Sequence, residues 1–327
     1  MTHPSSPSAL DDLGGGLYLW HPRAEPGSWG NANCLLVSSG DEAALVDTPY
    51  DIPRTQALLK ACTEVLPSGV SISNVINTHA NGDHSFGNFL LPDARVISTR
   101  SSAEHLCSGL EPSPETMHSL LTELSEEDPL GWYARTRFGG YDFEGIEVRT
   151  PDLQFTDDLG LRVGELNVQL IEVGPAHSPG DLVAYVPERG VVAAGDVLFA
   201  GDHPVHWAGS ISNIIEAIKA VLALDPAVVI PGHGPVMRPD EVHGQLDYLR
   251  DLSSRIRHEH ARGLSARQAA YALLDDEFRF DLGAPERLVI LTAVEYAHLD
   301  GTSVPDAVQL ARRAAHWAFH NRSPVPR

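Results

Sequence analysis

The chain has 327 residues, with 23 Lys plus Arg against 44 Asp plus Glu, a formal net charge of -21. Its length and 43% hydrophobic content suffice for one large core or two modest ones, which excludes a stapled mini-domain and wholesale disorder. The acidic balance repels phosphate backbones and anionic lipid heads, so neither nucleic acid nor a membrane surface is the expected partner.

Residues 1–13, Ser- and Pro-rich at their start, are expected to be flexible. From Leu17 the runs LYLW, NCLLVSS and AALVDT, separated by Gly, Pro, Asn and Asp, predict strands and turns. Asp51 opens a predicted helix through Leu66, with Pro53 early in it, where a missing N–H costs little. SISNVINT (71–78) predicts a buried strand. From about 101 to 145, helical patches carry Glu, Ser and prolines and end in WYARTRFGGYDF, a pattern expected of an insertion over a site. A second strand-rich block follows: LQFT, LRVG, LNVQLIEV, LVAYVP and VVAAGDVLF. Then come a predicted helix over 211–224 and the short strand of AVVIPGHG. From Asp240 the pattern is helical nearly to the end, with Gly263, Gly283 and Gly301 marking breaks. Strands grouped before helices predict mixed sheets covered by helices on their outer faces, in a unit over 14–239. The helical extension, 240–327, is either a cap on that core or the surface of a homo-oligomer.

Cys34, Cys62 and Cys107 have no CxxC spacing, which gives neither a disulfide framework nor a zinc-thiolate motif and favours a reducing compartment. The opening MTHPSSPSALDD lacks a basic segment followed by an apolar one, and no run of about 20 apolar residues follows. The expectation is a cytoplasmic protein that acts on a small molecule.

The chain has 16 histidines. His258 and His260, in RIRHEHARG, sit on a charged helix face, and HEH is not the HExxH zinc motif. Three other places differ. INTHANGDHSFGN (76–88) puts His79, Asn81, Asp83 and His84 just beyond a strand, with Gly82 allowing a sharp turn. In an extended loop His79, Asn81 and Asp83 share one side and His84 takes the other, so the loop can straddle two cations. VGPAHSPGD (173–181) places His177 after another strand, and two further strand ends carry Asp196 and His233. Alone, each is a turn residue. In this order they predict a metal centre on loops at a sheet rim. No GxSxG nucleophile elbow, GxGxxG loop or GxxxxGK[ST] loop is present.

These motifs, from about Leu17 to Val236, resemble the metallo-β-lactamase fold superfamily, with HxNxDH in place of HxHxDH. The resemblance implies an α/β, four-layer αββα sandwich with its site where the two sheets meet, here followed by a helical C-terminal extension. It implies one metal held by His79, His177 and Asp196 with position 81 beside it, and another held by Asp83, His84, Asp196 and His233. Asn81 is the departure. An amide oxygen is a neutral donor, poorly matched to zinc beside imidazole, so the two sites are expected to differ in affinity, and Asn81→His to raise occupancy of the first.

The implied activity is that of a metallo-hydrolase. One or two zinc ions, or Fe or Mn in their place, would activate water against an ester, lactone, thioester or amide. Asp196 would orient or bridge, and Asp83 would steer the nucleophile or pass a proton to the leaving group. Two alternatives stand beside it. His79, His177 and Asp196 are also the donor set of a mononuclear non-haem iron oxygenase, and a lyase or cyclase would use the metal only as a Lewis acid. Trp29, His206, Trp207, Tyr133 and Phe138 are the expected substrate contacts, a rim suited to an apolar acyl group; equally, such aromatics pin loops to a core. Arg135 and Arg137 would either hold a carboxylate or be surface charges.

Overall fold

A computed structural model of the chain describes residues 9–22, 27–279 and 281–321. The short apolar runs form two mixed sheets. The first has seven strands side by side in chain order: β1 (Asp11–Gly14), β2 (Leu17–Trp20), β3 (Cys34–Ser39), β4 (Glu42–Val46), β5 (Ile72–Ile76), β6 (Arg95–Thr99) and β7 (Leu153–Phe155). They are antiparallel from β1 to β4 and parallel from β4 to β7. The second sheet holds β8 (Asp158–Val163), β9 (Leu166–Glu172), β10 (Leu182–Val186), β11 (Val191–Phe199) and β12 (Val228–His233), in the order β12-β11-β10-β9-β8. Only its β11–β12 pair is parallel.

Alternation along single strands explains the layers. In β3, Leu35 and Val37 enter the core between the sheets, while Cys34 and Leu36 pack beneath the helix α1 (Ile52–Val65). In β11, Val191 and Ala193 face the same inter-sheet core, and Val192 and Ala194 face the other way, into the largest core. Strands covered on both sides read as continuous apolar runs, which is the text of β3, β10 and β11. The layering is thus helix, sheet, sheet, helix. Asp51 caps α1 by accepting from the Arg54 N–H, and Pro53 lies in the first turn.

The remaining helices are α2 (Gly82–Ser85), α3 (Arg100–Cys107), α4 (Pro114–Thr122), α5 (Pro129–Phe138), α6 (Ile211–Ala223), α7 (Pro239–Ala261), α8 (Ala266–Asp275), α9 (Arg287–Asp300) and α10 (Ala307–His320). The C-terminal helices cover the outer face of the second sheet, and Leu288, Ile290, Leu310 and Ala314 enter its core. Ala315 and Ala318 of α10 pack on Leu130 and Tyr133 of α5, so the last helix rests on the segment that joins β6 to β7.

Two local expectations need correction. Residues 1–8 of the expected flexible start lie outside the described residues, but Asp11–Gly14 is an edge strand paired with β2. Its polar DDLG hid it, because an edge strand buries little. The loop carrying His79 to His84 is extended only as far as Asn81, and Gly82 then starts a helical turn. Among the described residues no helix is long and apolar enough to cross a membrane.

Candidate metal centre

Strand ends deliver the site. Asp47 follows β4, His79 and Asn81 follow β5, His177 follows β9, and His233 closes β12. Asp196 lies inside β11, where the register to β12 slips on both sides of Gly195. That glycine has φ +52, and a Cβ on it would meet the Thr78 side chain at 2.7 Å. A Cβ on Gly232 of β12 would lie 1.9 Å from Asp196 Oδ1. Gly195 therefore lets β11 close on Thr78, and Gly232 lets β12 close on the carboxylate. Gly232→Ala is expected to displace Asp196 and destabilise the fold by about 1–3 kcal/mol. Urea unfolding in chelator measures that cost apart from any bound ion.

Seven side chains converge. Asp196 Oδ1 is 3.1 Å from His84 Nε2 and 3.3 Å from His233 Nε2, and its Oδ2 is 3.5 Å from His177 Nε2. His233 Nε2 is 3.4 Å from both Asp83 Oδ2 and His84 Nε2. The His79 and His84 rings lie 4.2 Å apart. Asn81 Oδ1 lies 2.9 Å from His79 Nε2 and 2.6 Å from His177 Nε2. Asn81 thus groups with His79 and His177, and Asp83 with His84 and His233. The helical turn from Gly82 causes this division, since successive helical residues point about 100° apart whereas an extended loop alternates sides. His84 consequently does not turn away; it is fully buried between the two groups.

The outer ring nitrogens are tied down in a way that decides what the inner ones can do. His84 Nδ1 is 2.8 Å from Asp47 Oδ2, and His177 Nδ1 is 2.6 Å from the Val205 carbonyl. Both partners only accept, so both Nδ1 atoms carry hydrogen. Thr78 donates its hydroxyl hydrogen to Asp47, leaving Thr78 Oγ1 to accept from His79 Nδ1 at 3.1 Å. With hydrogen on Nδ1, each ring aims its Nε2 inward, at another ring, a carboxylate or an amide oxygen. Among the described residues Asp196 Oδ1, though buried, receives no hydrogen bond. Burial opposes charge on His84, yet Asp196, Asp47 and Asp83 hold its pKa above the imidazole range. Burial, with His84 and His177 alongside, pushes that of His79 down. The carboxylates thus favour positive charge among these rings, which a proton on His84 or a divalent cation can supply.

The spacings fit one. Bonds of about 2.0–2.1 Å in a tetrahedron separate neighbouring donors by about 3.4 Å. His84, His233 and Asp83 show 3.4, 3.4 and 4.0 Å, and Asp196 Oδ1 lies 3.1 and 3.3 Å from the two histidines; the donors of Asp83, His84 and His233, and those of His79, His84 and Asp196, each lie within 4.8 Å of one another. Imidazole and carboxylate donors without thiolate suit zinc, manganese or iron.

A cleft opens over Asp83, His177, Asp196 and His233 and holds about 920 Å³ of atom-free space up to its open mouth. Trp29, Trp207, Tyr133 and Phe138, all expected contacts, line it together with Met117, Leu120 and Leu130. Trp29 lies 6.0 Å from Phe138 and 6.2 Å from Trp207 between ring centroids. His206 does not line it. It is fully buried behind His177, with 6.1 Å between ring centroids, and burial lowers its pKa, which keeps the ring neutral. Arg135 and Arg137 play neither expected role. Arg135 donates to the Leu121 and Leu124 carbonyls, and Arg137 to the Gly27 carbonyl and to the buried Glu286, so both fasten α5.

Three residues passed over in the sequence belong here. Asp47 links Thr78 to His84. Glu111 accepts from Asn81 Nδ2 at 2.7 Å. Arg287 of α9 is buried on the cleft wall with its guanidinium 4.2 Å from the Trp29 ring centroid, and makes no ion pair among the described residues. The position of Asp47 at a strand end was a usable signal, shared with the other site residues. Glu111 and Arg287 carried none.

The profile of the Metallo-beta-lactamase superfamily matches residues 27–233. The chain belongs to that superfamily. It is 24% identical over 238 residues to the metallo-β-lactamase type 2 of Bacteroides fragilis, covering 69% of this chain and 79% of that one. Against the Bacillus cereus enzyme of the same title the figures are 23% over 215 residues, 63% and 68%. Among solved structures, a metallo-β-lactamase family protein of Thermus thermophilus superposes with TM-score 0.59 at 21% identity, over 88% of this chain and 94% of its own. A metallo-β-lactamase from Pontibacter korlensis gives 0.55 at 16%, over 74% and 98%. These superpositions show the αββα sandwich, with the last helices as an extension. Superfamily membership and the relatives' titles suggest a metal-dependent hydrolase.

Proposed function

We propose that the chain is a zinc hydrolase acting on an ester, thioester, lactone or amide of a small molecule with an apolar acyl group. The inward Nε2 atoms of His79, His84 and His177, beside Asp196 at the floor of an apolar cleft, carry this reading. Bound zinc lowers the pKa of water to about 7 and polarises a carbonyl oxygen. The protein's own groups do the rest. Asp196 touches both ligand groups and fixes their separation. Asp83 is the more exposed carboxylate and borders the cleft, so it can take a proton from water and return it to the leaving group. Trp29, Phe138 and Trp207 seat an apolar group and exclude solvent.

Asn81 makes the centre unequal. The group around Asp83 has only charged or imidazole donors, whereas His79 and His177 share a neutral amide, so zinc fills the Asp83 side first. His84 and His233 both reach Asp196, a grouping that the iron oxygenase reading leaves unexplained. Cytoplasmic location and association through the C-terminal helices stay as part of this proposal. A panel of aryl esters, thioesters and lactones tests it, with the product mass recorded. Products that gain one water, lost in chelator and restored by zinc, are expected. Isomerised or eliminated products, or oxygen uptake with Fe(II), would replace hydrolysis by lyase or oxygenase chemistry.

A further inference from the structure

We infer that Glu111 is a positioning residue: it fixes the Asn81 amide with its oxygen toward His79 and His177, and so makes that oxygen a third donor for a cation on their side. The inference rests on the cation-binding reading above.

A primary amide has an accepting end and a donating end of nearly equal shape, and its neighbours decide which way it turns. The Nε2 atoms of His79 and His177 carry lone pairs, because Thr78 and Val205 hold hydrogen on Nδ1. Left to itself, Asn81 would turn its NH₂ toward both lone pairs. Two hydrogen bonds would then close this half of the centre against a cation. Glu111 opposes that state. Its Oε2 lies 2.7 Å from Asn81 Nδ2, and a carboxylate only accepts. A reversed amide would face it oxygen to oxygen, losing a charge-assisted hydrogen bond in a mostly buried place.

The chain around Glu111 is built to hold it. The residue lies between α3 and α4, and Pro112 after it disfavours a helical backbone at position 111. Ser113 then caps α4 by accepting from the Thr116 N–H. His105 Nε2 stands 3.6 Å from the same Oε2 on the α3 side. Glu111 also lines the cleft, so its carboxylate belongs to the wall that a ligand meets.

The test titrates zinc into metal-free protein against a chromophoric chelator, for the wild type, Glu111→Leu, Glu111→Gln, Asn81→Ala and the double variant Asn81→Ala/Glu111→Leu. The wild type is expected to bind one zinc tightly and a second more weakly. Glu111→Leu should weaken the second about 10- to 100-fold, as losses of an outer hydrogen-bond partner do, and leave the first within about twofold. Glu111→Gln, whose amide oxygen accepts the same bond, should stay near the wild type and also shows that position 111 tolerates change. In the Asn81→Ala background, Glu111→Leu should do nothing more. Glu111→Gln as weak as Glu111→Leu would overturn the inference in favour of direct attraction by charge. An added loss in the Asn81→Ala background would make Glu111 itself a ligand, and equal binding by Glu111→Leu and the wild type would remove its role. A wild type that binds no zinc would overturn the cation-binding reading as well.

Discussion

Asp196→Asn is expected to lower hydrolysis by at least about 10³-fold and to strip zinc from both halves of the centre. The expectation follows from position. Oδ1 faces His84 and His233, Oδ2 faces His177, and few side chains could reach both groups from inside a strand. Nearby histidines hold this carboxyl well below the usual range despite its burial, so it is ionised wherever the enzyme works. Asparagine keeps the shape and removes the charge. It also turns an NH₂ toward imidazole lone pairs, which satisfies with hydrogen what a cation would otherwise satisfy. The variant should still unfold cooperatively in chelator, because Gly195 and Gly232 leave room for an isostere. Zinc content by mass spectrometry, set beside kcat/KM, checks both halves of the prediction. An active Asp196→Asn enzyme would contradict the assignment.

Asp47→Ala and Asp47→Asn are expected to separate structure from metal binding. Asp47 Oδ1 accepts from the Thr78 backbone N–H at 2.8 Å, and Oδ2 from the Thr78 hydroxyl and His84 Nδ1, each also at 2.8 Å. The residue sits at φ +63, a left-handed conformation that Asp and Asn tolerate better than alanine does. Alanine abandons three buried donors in that strained backbone, and a loss of about 3–5 kcal/mol is expected. Asparagine keeps the backbone and one accepting oxygen but sets its NH₂ against His84 Nδ1–H or the Thr78 hydroxyl. It should fold, yet bind zinc about 10- to 100-fold more weakly, because His84 loses the partner that fixes its tautomer. Urea unfolding in chelator reads the first effect and zinc competition the second. Equal zinc affinity for Asp47→Asn and the wild type would show that His84 is oriented otherwise.

Much of this fold is legible in the amino-acid text, for a physical reason. Strands buried on both faces must be apolar throughout, so β3, β10 and β11 announce themselves, and Asp51, Pro53 and Gly301 punctuate helices through backbone rules that act locally. What escapes is what local chemistry does not encode. The four residues of α2 are too few to show a helical period, yet that turn decides which candidate ligands stand together. His206 beside Trp207 reads like a rim residue, but only the packing of His177 and Phe199 shows it to be buried. The candidate ligands stand out because His and Asp at the ends of apolar strands are unusual, and their order along the chain resembles a known pattern. Glu111 is one acid among 44 Asp and Glu, and its meaning arises only when Asn81 lies opposite. Arg287 lies far beyond His233 in the chain and reaches the cleft only because the C-terminal helices fold back over the second sheet.

The most direct test is anomalous diffraction at the zinc edge from crystals grown with zinc. The account predicts a strong peak enclosed by Asp83, His84, Asp196 and His233, and a weaker one beside His79, His177 and Asn81. Density free of any anomalous signal between these side chains, with zinc bound elsewhere on the surface, would contradict it.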